Sequence, residues 1–293
     1  MCNLSEPVVR ADDTLATLER KVRHAAILGT LQARFTDFPL LSPEWKRNCD
    51  EEALLGVSMT GIMDGPELSG AELTHLREVA RQTNAEVARK IGINQAAAIT
   101  CVKPSGTVSQ LVDCASGIHP RHSKFYIRRV RAARKDPLTQ MMIDQGVPHE
   151  ASAYEPDSEV VFSFPQRAPA GALTRHDLTA LQHLGRWMHY QMYWCDHKPS
   201  VTISVDKHEW PAVGAWVWEN FDWMSGIAVL PKSDHAYVQA PYEDCTEETY
   251  HAMVAQQPKI DWSRLADYES EDNTLGSQTL ACTGNVCELV DLV

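Results

Sequence analysis

Three stretches carry residue types that could do chemistry. Lys103-Pro104-Ser105-Gly106-Thr107 follows directly on the apolar run 97–102. A strand that ends in Ser-Gly-Thr and turns into a helix presents free backbone N–H groups and two hydroxyls. The helix dipole adds positive potential at the same spot, so the place suits a phosphate. Gly106 would let the backbone come close. The string is not a Walker A loop, because the spaced Gly-Lys-Ser/Thr is absent, and an ordinary turn is the competing reading. The second stretch is Cys282-Thr283-Gly284-Asn285-Val286-Cys287. Two cysteines separated by such a loop can close a small disulfide ring and take part in thiol–disulfide exchange. Half a zinc site and two unrelated cysteines are the alternatives; a structural zinc needs four ligands, and no second pair of suitable spacing lies nearby. The third is Cys2, which carries almost no information by itself.

Composition bounds what these stretches can serve. The chain has 293 residues, 44% hydrophobic and 23% charged, an ordinary globular balance that supports one large α/β domain or two small ones. A net charge of −12 disfavours general nucleic-acid binding through a basic surface. A local positive site exists nonetheless: Arg121, Lys124, Arg128, Arg129, Arg131, Arg134 and Lys135 fall in one stretch without an acid, with a solvated basic strand as the plain reading. The longest apolar runs are too short to cross a bilayer, and the N-terminus lacks the basic and apolar regions of a signal peptide, so a cytoplasmic protein without membrane contact is expected. Eight cysteines in that setting are not a disulfide scaffold. Cys49, Cys101, Cys114, Cys195 and Cys245 read as small, buried residues.

The elements that must position these groups follow from periodicity. Residues 12–35 have helical spacing, with Asp12 or Asp13 able to cap the start. Ser69-Gly70-Ala71-Glu72 fits a capping box, Leu73, Leu76, Ala80, Val87 and Ile91 form one helical face, and Gly92 can stop it. Helices are also predicted over 177–194 and 210–220. Strands are predicted over 97–102, 125–131, 159–164, 201–205 and 227–230. Short buried strands alternating with helices argue for an α/β class with many parallel strands. From about residue 268 the pattern breaks, and a mobile tail is expected.

Taken in order along the chain, several strings resemble the class II, adenosylcobalamin-dependent ribonucleoside-triphosphate reductases. They are Cys2-Asn3-Leu4, Leu54-Leu55-Gly56-Val57-Ser58-Met59-Thr60-Gly61, Lys103-Pro104-Ser105-Gly106-Thr107 and Ser116-Gly117-Ile118-His119-Pro120. Further along come Tyr126-Ile127-Arg128-Arg129-Val130-Arg131, Pro199-Ser200-Val201-Thr202-Ile203, Pro241-Tyr242-Glu243 and the Cys282/Cys287 pair. The adjacent tyrosine pair of the oxygen-dependent reductases does not occur, and Gly276 and Gly284 do not sit in the setting of a glycyl-radical loop.

The resemblance implies a fold, an α/β architecture forming the C-terminal half of the ten-stranded barrel of ribonucleotide reductases. Residues 1–267 would form that half and include a cobalamin-binding region, and 268–293 a flexible redox tail. The family's thiyl-radical cysteine sits in an Asn-x-Cys-x-Glu pattern on a finger loop. Here Asn3-Leu4-Ser5-Glu6-Pro7 has Ser5 in place of that cysteine and Pro7 in place of the glutamate. The chain is therefore expected to start just past the finger loop, with an N-terminal half as partner supplying the radical cysteine. The implied chemistry is reduction of ribonucleotides, as triphosphates, to 2′-deoxyribonucleotides with adenosylcobalamin as cofactor. Cys2 would be one of the two cysteines that reduce the 2′ position, and Cys282 and Cys287 the pair that re-reduces them with a thioredoxin-type reductant. Pro104, Ser105, Gly106 and Thr107 would hold substrate phosphates. No protein-bound metal is expected. The corrin surface would lie after Ser116 and around 237–272, without individual contacts assigned. A catalytically incomplete remnant that only binds nucleotide, and a stand-alone thiol–disulfide protein, are the alternatives.

Overall fold

A computed structural model of the chain describes residues 3–232 and 238–269, together with the backbone of 280–283 and 286–289. In chain order the elements are β1 (Leu4–Ser5), α1 (Leu15–Gln32), α2 (Pro43–Glu52), β2 (Gly56–Ser58), α3 (Gly70–Ile91), β3 (Thr100–Cys101), α4 (Val108–Leu111), β4 (Phe125–Ala133), α5 (Pro137–Asp144) and β5 (His149–Ala151). They continue with β6 (Glu159–Arg167), α6 (Ala180–Tyr193), β7 (Thr202–Val205), α7 (Trp210–Glu219), β8 (Ala228–Pro231), β9 (Tyr242–Asp244), α8 (Glu247–Gln256), α9 (Leu265–Tyr268), β10 (Leu280–Thr283) and β11 (Val286–Leu289). The chain divides into two compact units, Met1–Lys124 with Arg167–His235, and Phe125–Gln166 with Ala236–Val293.

In the first unit every strand pairing is parallel. β1, β2 and β3 lie side by side in that order, and β7 pairs with β8. A parallel bridge between Val102 and Pro199 joins the two groups, with the Ser200 N–H donating to the Val102 carbonyl at 2.7 Å. Parallel strands need long crossovers, and here helices supply them. α3 runs as its spacing predicts: Ser69 and Glu72 complete the capping box, and Gly92 ends it at φ 72°. α1 starts later than the sequence suggested. Thr14 is the cap, because the Asp13 carboxylate is taken by the Arg10 N–H at 2.7 Å and by Lys21 at 2.6 Å.

The helices bury one stripe each against one face of this sheet. Leu18 and Val22 of α1, Leu73 and Leu76 of α3, and Leu184 and Trp187 of α6 meet Val57, Ile203 and Val205 in one core. Each such side chain contributes about 1.5–3 kcal/mol on burial. Two indoles also tie α6 to the strands: the Trp187 N–H donates to Pro199 O at 2.7 Å and the Trp194 N–H to Cys101 O at 2.8 Å. The opposite face is different. Parallel sheets are normally covered on both faces, yet Leu4 on β1 and Leu230 on β8 are about two-fifths exposed (39% and 43%). Thr202 and Ser204 alternate there with the buried Ile203 and Val205.

The second unit departs from the many-parallel-strand expectation. Its sheet has the order β5-β6-β4-β9, and the pairs β5–β6 and β4–β9 are antiparallel. α5 and β6 enclose a small core of Met141, Met142, Val147, Val160 and Phe162. The basic stretch on β4 is not a solvated strand. Arg128, Arg129 and Arg131 donate to the carbonyls of Pro241, Ala240 and Gln239 respectively. Arg129 also pairs with Glu243 at 2.6 Å, and Arg128 lies 4.5 Å over the Tyr242 ring. These guanidiniums hold one neighbouring segment by its backbone, a use that charge counting does not reveal. β10 and β11 form an antiparallel hairpin. The rest of the expected tail lies outside the described residues. Among those described, no helix is long and apolar enough to cross a membrane.

Burial of one imidazole makes the fold pH-sensitive. His183 on α6 faces the Ile118 carbonyl at 3.0 Å through Nε2. Burial, with smaller contributions from His119 and Arg186, pushes its pKa down to about 4. The folded chain then refuses a proton that the unfolded chain accepts at about 6.5. The associated stability is full above about pH 6.5 and is lost as pH falls toward 4, by up to roughly 3 kcal/mol. Urea unfolding across that range should show this slope, and His183→Gln should flatten it while lowering stability at neutral pH. An unchanged slope in the variant would contradict the assignment.

Candidate functional site at the C-terminal ends of the parallel strands

Parallel strands deliver their C-terminal ends to one edge, where ligands of open α/β sheets bind. At that edge the strings singled out in the sequence come into contact. β3 leads into Lys103, whose N–H donates to Ser58 Oγ at the end of β2 at 2.9 Å. The loop 103–107 then rests on the strap 115–119. Ser116 Oγ donates to the Pro104 carbonyl. Gly117 has φ 58°, and a Cβ there would stand 2.4 Å from the Lys103 oxygen. Thr60 Oγ1 accepts from the Gly117 N–H at 3.0 Å and donates to the Ala115 carbonyl at 3.3 Å.

The strap is itself fixed. His119 Nδ1 donates to Ser116 O at 2.8 Å, and its Nε2 accepts from the Thr202 N–H at 2.9 Å, so the ring is the neutral Nδ1–H tautomer. Burial lowers its pKa and keeps it so. Arg121, only 4% exposed, pairs with Asp64 and Asp113, both at 2.8 Å. Asp64 accepts in turn from the Ala115 N–H at 2.7 Å. Burying this arginine costs solvation, and the two carboxylates offset it, so removal of either partner would be expensive. Arg10 donates to the carbonyls of Asp113, at 2.6 Å, and Val112.

What this frame holds is a short arc of unused donors. Among the described residues none accepts from the backbone N–H of Gly106, Thr107 or Val108, and all three residues are exposed. Successive free N–H groups of this kind make an anion-binding concavity. Two details of the loop qualify this picture. α4 is a single turn with Thr107 as its N-cap, too short for the dipole expected of it. The left-handed residue is Ser105, at φ 50°, not Gly106, whose added Cβ would meet nothing within 4 Å. Gly106 is thus not demanded by the chain's own packing. Ser105 Oγ donates to Glu6 Oε2 at 2.8 Å, beyond the end of β1. Burial raises the Glu6 pKa, partly offset by that hydroxyl.

The remaining predicted residues are placed unevenly. Pro104, Ser105, Gly106 and Thr107 lie together in this loop. Cys2 lies outside the described residues. For Cys282 and Cys287 the backbone alone is described, and the β10–β11 register sets them directly opposite each other. Opposed residues in antiparallel pairs have Cα atoms about 4.5–5.5 Å apart, within the span of a disulfide. Of the five cysteines expected to be buried, Cys101, Cys114 and Cys195 are, whereas Cys49 and Cys245 are only partly buried. Burial pushes the Cys101 thiol up to about 11, which keeps it unreactive near neutrality. Among the described residues no three His, Cys, Asp or Glu side chains gather as a metal site. Sequence reasoning gave no role to Glu6, Ser58, Thr60 or Asp64, and counted Arg121 only within the basic stretch. Ser58 and Thr60 stood within a matching string, and Glu6 was weighed only against the radical motif.

No family model matches the chain. An adenosylcobalamin-dependent ribonucleoside-triphosphate reductase from Euglena gracilis is 31% identical over 264 residues, which is 87% of this chain and 35% of the relative. A probable enzyme of the same name from Dictyostelium discoideum is 25% identical over 277 residues, 90% of this chain and 36% of the relative. The chain belongs to the adenosylcobalamin-dependent ribonucleotide reductase family. It spans about a third of the length of these curated relatives. The crystal structure of a B12-dependent, class II ribonucleotide reductase superposes with a TM-score of 0.74 at 20% identity, covering 92% of this chain and 42% of that one. The fold is accordingly an α/β segment of the class II reductase fold.

Within this reductase segment two glycines should behave in opposite ways. Gly117→Ala forces a Cβ against the Lys103 carbonyl at a left-handed backbone position and should lower stability by about 1–3 kcal/mol or more. Gly106→Val enters open space and should unfold like the parent chain. Chemical denaturation checks both, and an equal loss in the two would contradict the frame described.

Proposed function

We propose that this chain is one part of an adenosylcobalamin-dependent reductase that converts ribonucleoside triphosphates to 2′-deoxyribonucleotides. The observation that carries the reading is the 103–107 loop. Its N–H groups, without an acceptor among the described residues, belong to exposed residues at the C-terminal edge of a parallel sheet, in a chain that matches such reductases over 87% of its own length. In this reading Pro104, Ser105, Gly106 and Thr107 hold the substrate phosphates. Cys2 is one of the two cysteines that reduce the 2′ position. Cys282 and Cys287 take electrons from a thioredoxin-type reductant and pass them on, their opposed register being suited to a reversible disulfide. Residues 1–267 form the C-terminal half of the reductase barrel, with its cobalamin-binding region, and 268–293 the redox tail.

The sheet face left open by the helices supports a partner. Leu4 and Leu230 there, and the unpaired outer edges of β1 and β8 among the described residues, are what a half-barrel presents to its other half. That N-terminal half would bring the hydrogen-abstracting cysteine, for which this chain has no matching pattern. Adenosylcobalamin, when bound, supplies the radical by homolysis. The strap after Ser116 does not fit as its seat: Ile118 is fully buried, and both nitrogens of His119 are committed to the backbone. No residue is assigned to the cofactor, and no step is derived through it.

Reconstitution tests the proposal. The chain alone should form no deoxyribonucleotide. Mixed with the remaining two-thirds of a family reductase and adenosylcobalamin, it should turn over. Cys282→Ser or Cys287→Ser should abolish turnover with thioredoxin and leave activity with a small dithiol, which diffuses in and replaces the pair. Cobalamin-dependent turnover by the isolated chain would refute the split. Equal losses with both reductants would assign the cysteine pair a structural role.

A further inference from the structure

The hydroxyl of Ser105 has one proton to donate, and the structure shows where it goes: to Glu6, at 2.8 Å. A phosphate seated on the N–H groups of Gly106, Thr107 and Val108 would lie beside Ser105 and would need that same proton. It would also meet the Glu6 carboxylate, a like charge on a half-buried residue. Resting on the assignment of the 104–107 loop to substrate phosphates, we infer that Glu6 is a specificity-determining residue of that loop, competing with the ligand's phosphate for the Ser105 hydroxyl, so that the anion binds only with Glu6 protonated or displaced.

The surroundings leave Glu6 as the group that decides. On β2 the neighbouring side chain is Ser58, which does not ionise and accepts from the Lys103 N–H. Just past β3 stands Lys103, which forms no ion pair among the described residues and acts, together with Glu6, on the buried Cys101 thiol. From α1, Lys21 is committed to Asp13 and to the Val8 carbonyl. After β1, Arg10 is committed to the carbonyls of residues 112 and 113, and Arg121 to Asp64 and Asp113. Neither Arg10 nor Arg121 is therefore left to neutralise Glu6 while the loop holds an anion. Burial already favours the protonated carboxyl, so a nearby phosphate pushes in a direction the site permits. Binding is then linked to uptake of a proton, and anion affinity falls as pH rises.

The sign follows from which state binds the proton. Where Glu6 is ionised in the free chain and neutral in the complex, affinity drops up to tenfold per pH unit. Glu6→Gln removes the competing charge, so its affinity should carry only the ligand's own titration. The probe is inorganic tripolyphosphate, titrated calorimetrically into the full chain and the variants from about pH 5.5 to about pH 8. Comparing proteins at each pH cancels the ligand's protonation.

The ratio of Glu6→Gln to wild-type affinity should rise with pH, reaching about tenfold, the worth of one charge-assisted hydrogen bond. Ser105→Ala should weaken binding at the acid end and have little effect at the alkaline end, where Glu6 already holds the hydroxyl in the wild type. Thermal melts establish that the variants fold. If all proteins bind and the ratio stays constant with pH, the inference is wrong while the loop assignment stands. If neither wild type nor Glu6→Gln binds at any pH, the loop assignment falls and the inference with it.

Discussion

The Lys103 carbonyl occupies the place where residue 117 would put a Cβ. Around this single close approach the functional edge of the molecule is assembled. Because residue 117 is glycine, the strap 115–119 can lie directly under the loop that leaves β3. Ser116 can then reach the Pro104 carbonyl, and Thr60 can serve both sides of the strap. A loop held this firmly from below can leave its upper N–H groups unpaired without collapsing onto them. The unpaired donors give the loop its chemistry, and the glycine contact gives the donors their place.

Charge is used twice in this chain, and both times against first appearance. A short sequence rich in arginine looks like a site for phosphate, yet its members are spent internally. Arg121 is nearly dry between two carboxylates in the first unit, and Arg128, Arg129 and Arg131 hold backbone carbonyls in the second. The proposed phosphate loop has no guanidinium of its own. It relies on backbone dipoles, with an acidic side chain set beside them. Such a loop binds an anion less tightly than an arginine cluster would, and it answers to protonation.

Much of the first unit was legible in the sequence because its signals are local. Ser69, Glu72 and Gly92 bound α3 as capping chemistry requires, and the alternation from 201 to 205 marks β7. The two-residue strands β1 and β3 were harder, since pairing with β2 between them, not length, makes them strands. The antiparallel sheet of the second unit was missed because strand direction is set by partners distant in sequence: β4 pairs with β9 more than a hundred residues later. At the site, residue types pointed to Ser105, Gly106 and Thr107. They could not reveal that Ser105 takes the left-handed backbone, nor that Glu6, ninety-nine positions away, accepts its hydroxyl. Both depend on parallel strands bringing their ends together.

The central claim is that the 103–107 loop is where this reductase segment receives a phosphate. Amide resonances of the isotope-labelled chain, followed on titration with a ribonucleoside triphosphate, test it most directly. The account predicts that the N–H signals of Gly106, Thr107 and Val108 move together and gain protection from exchange, because these donors have no acceptor among the described residues of the free chain. Shifts centred instead on Arg128, Arg129 and Arg131, with the loop amides unmoved, would contradict it.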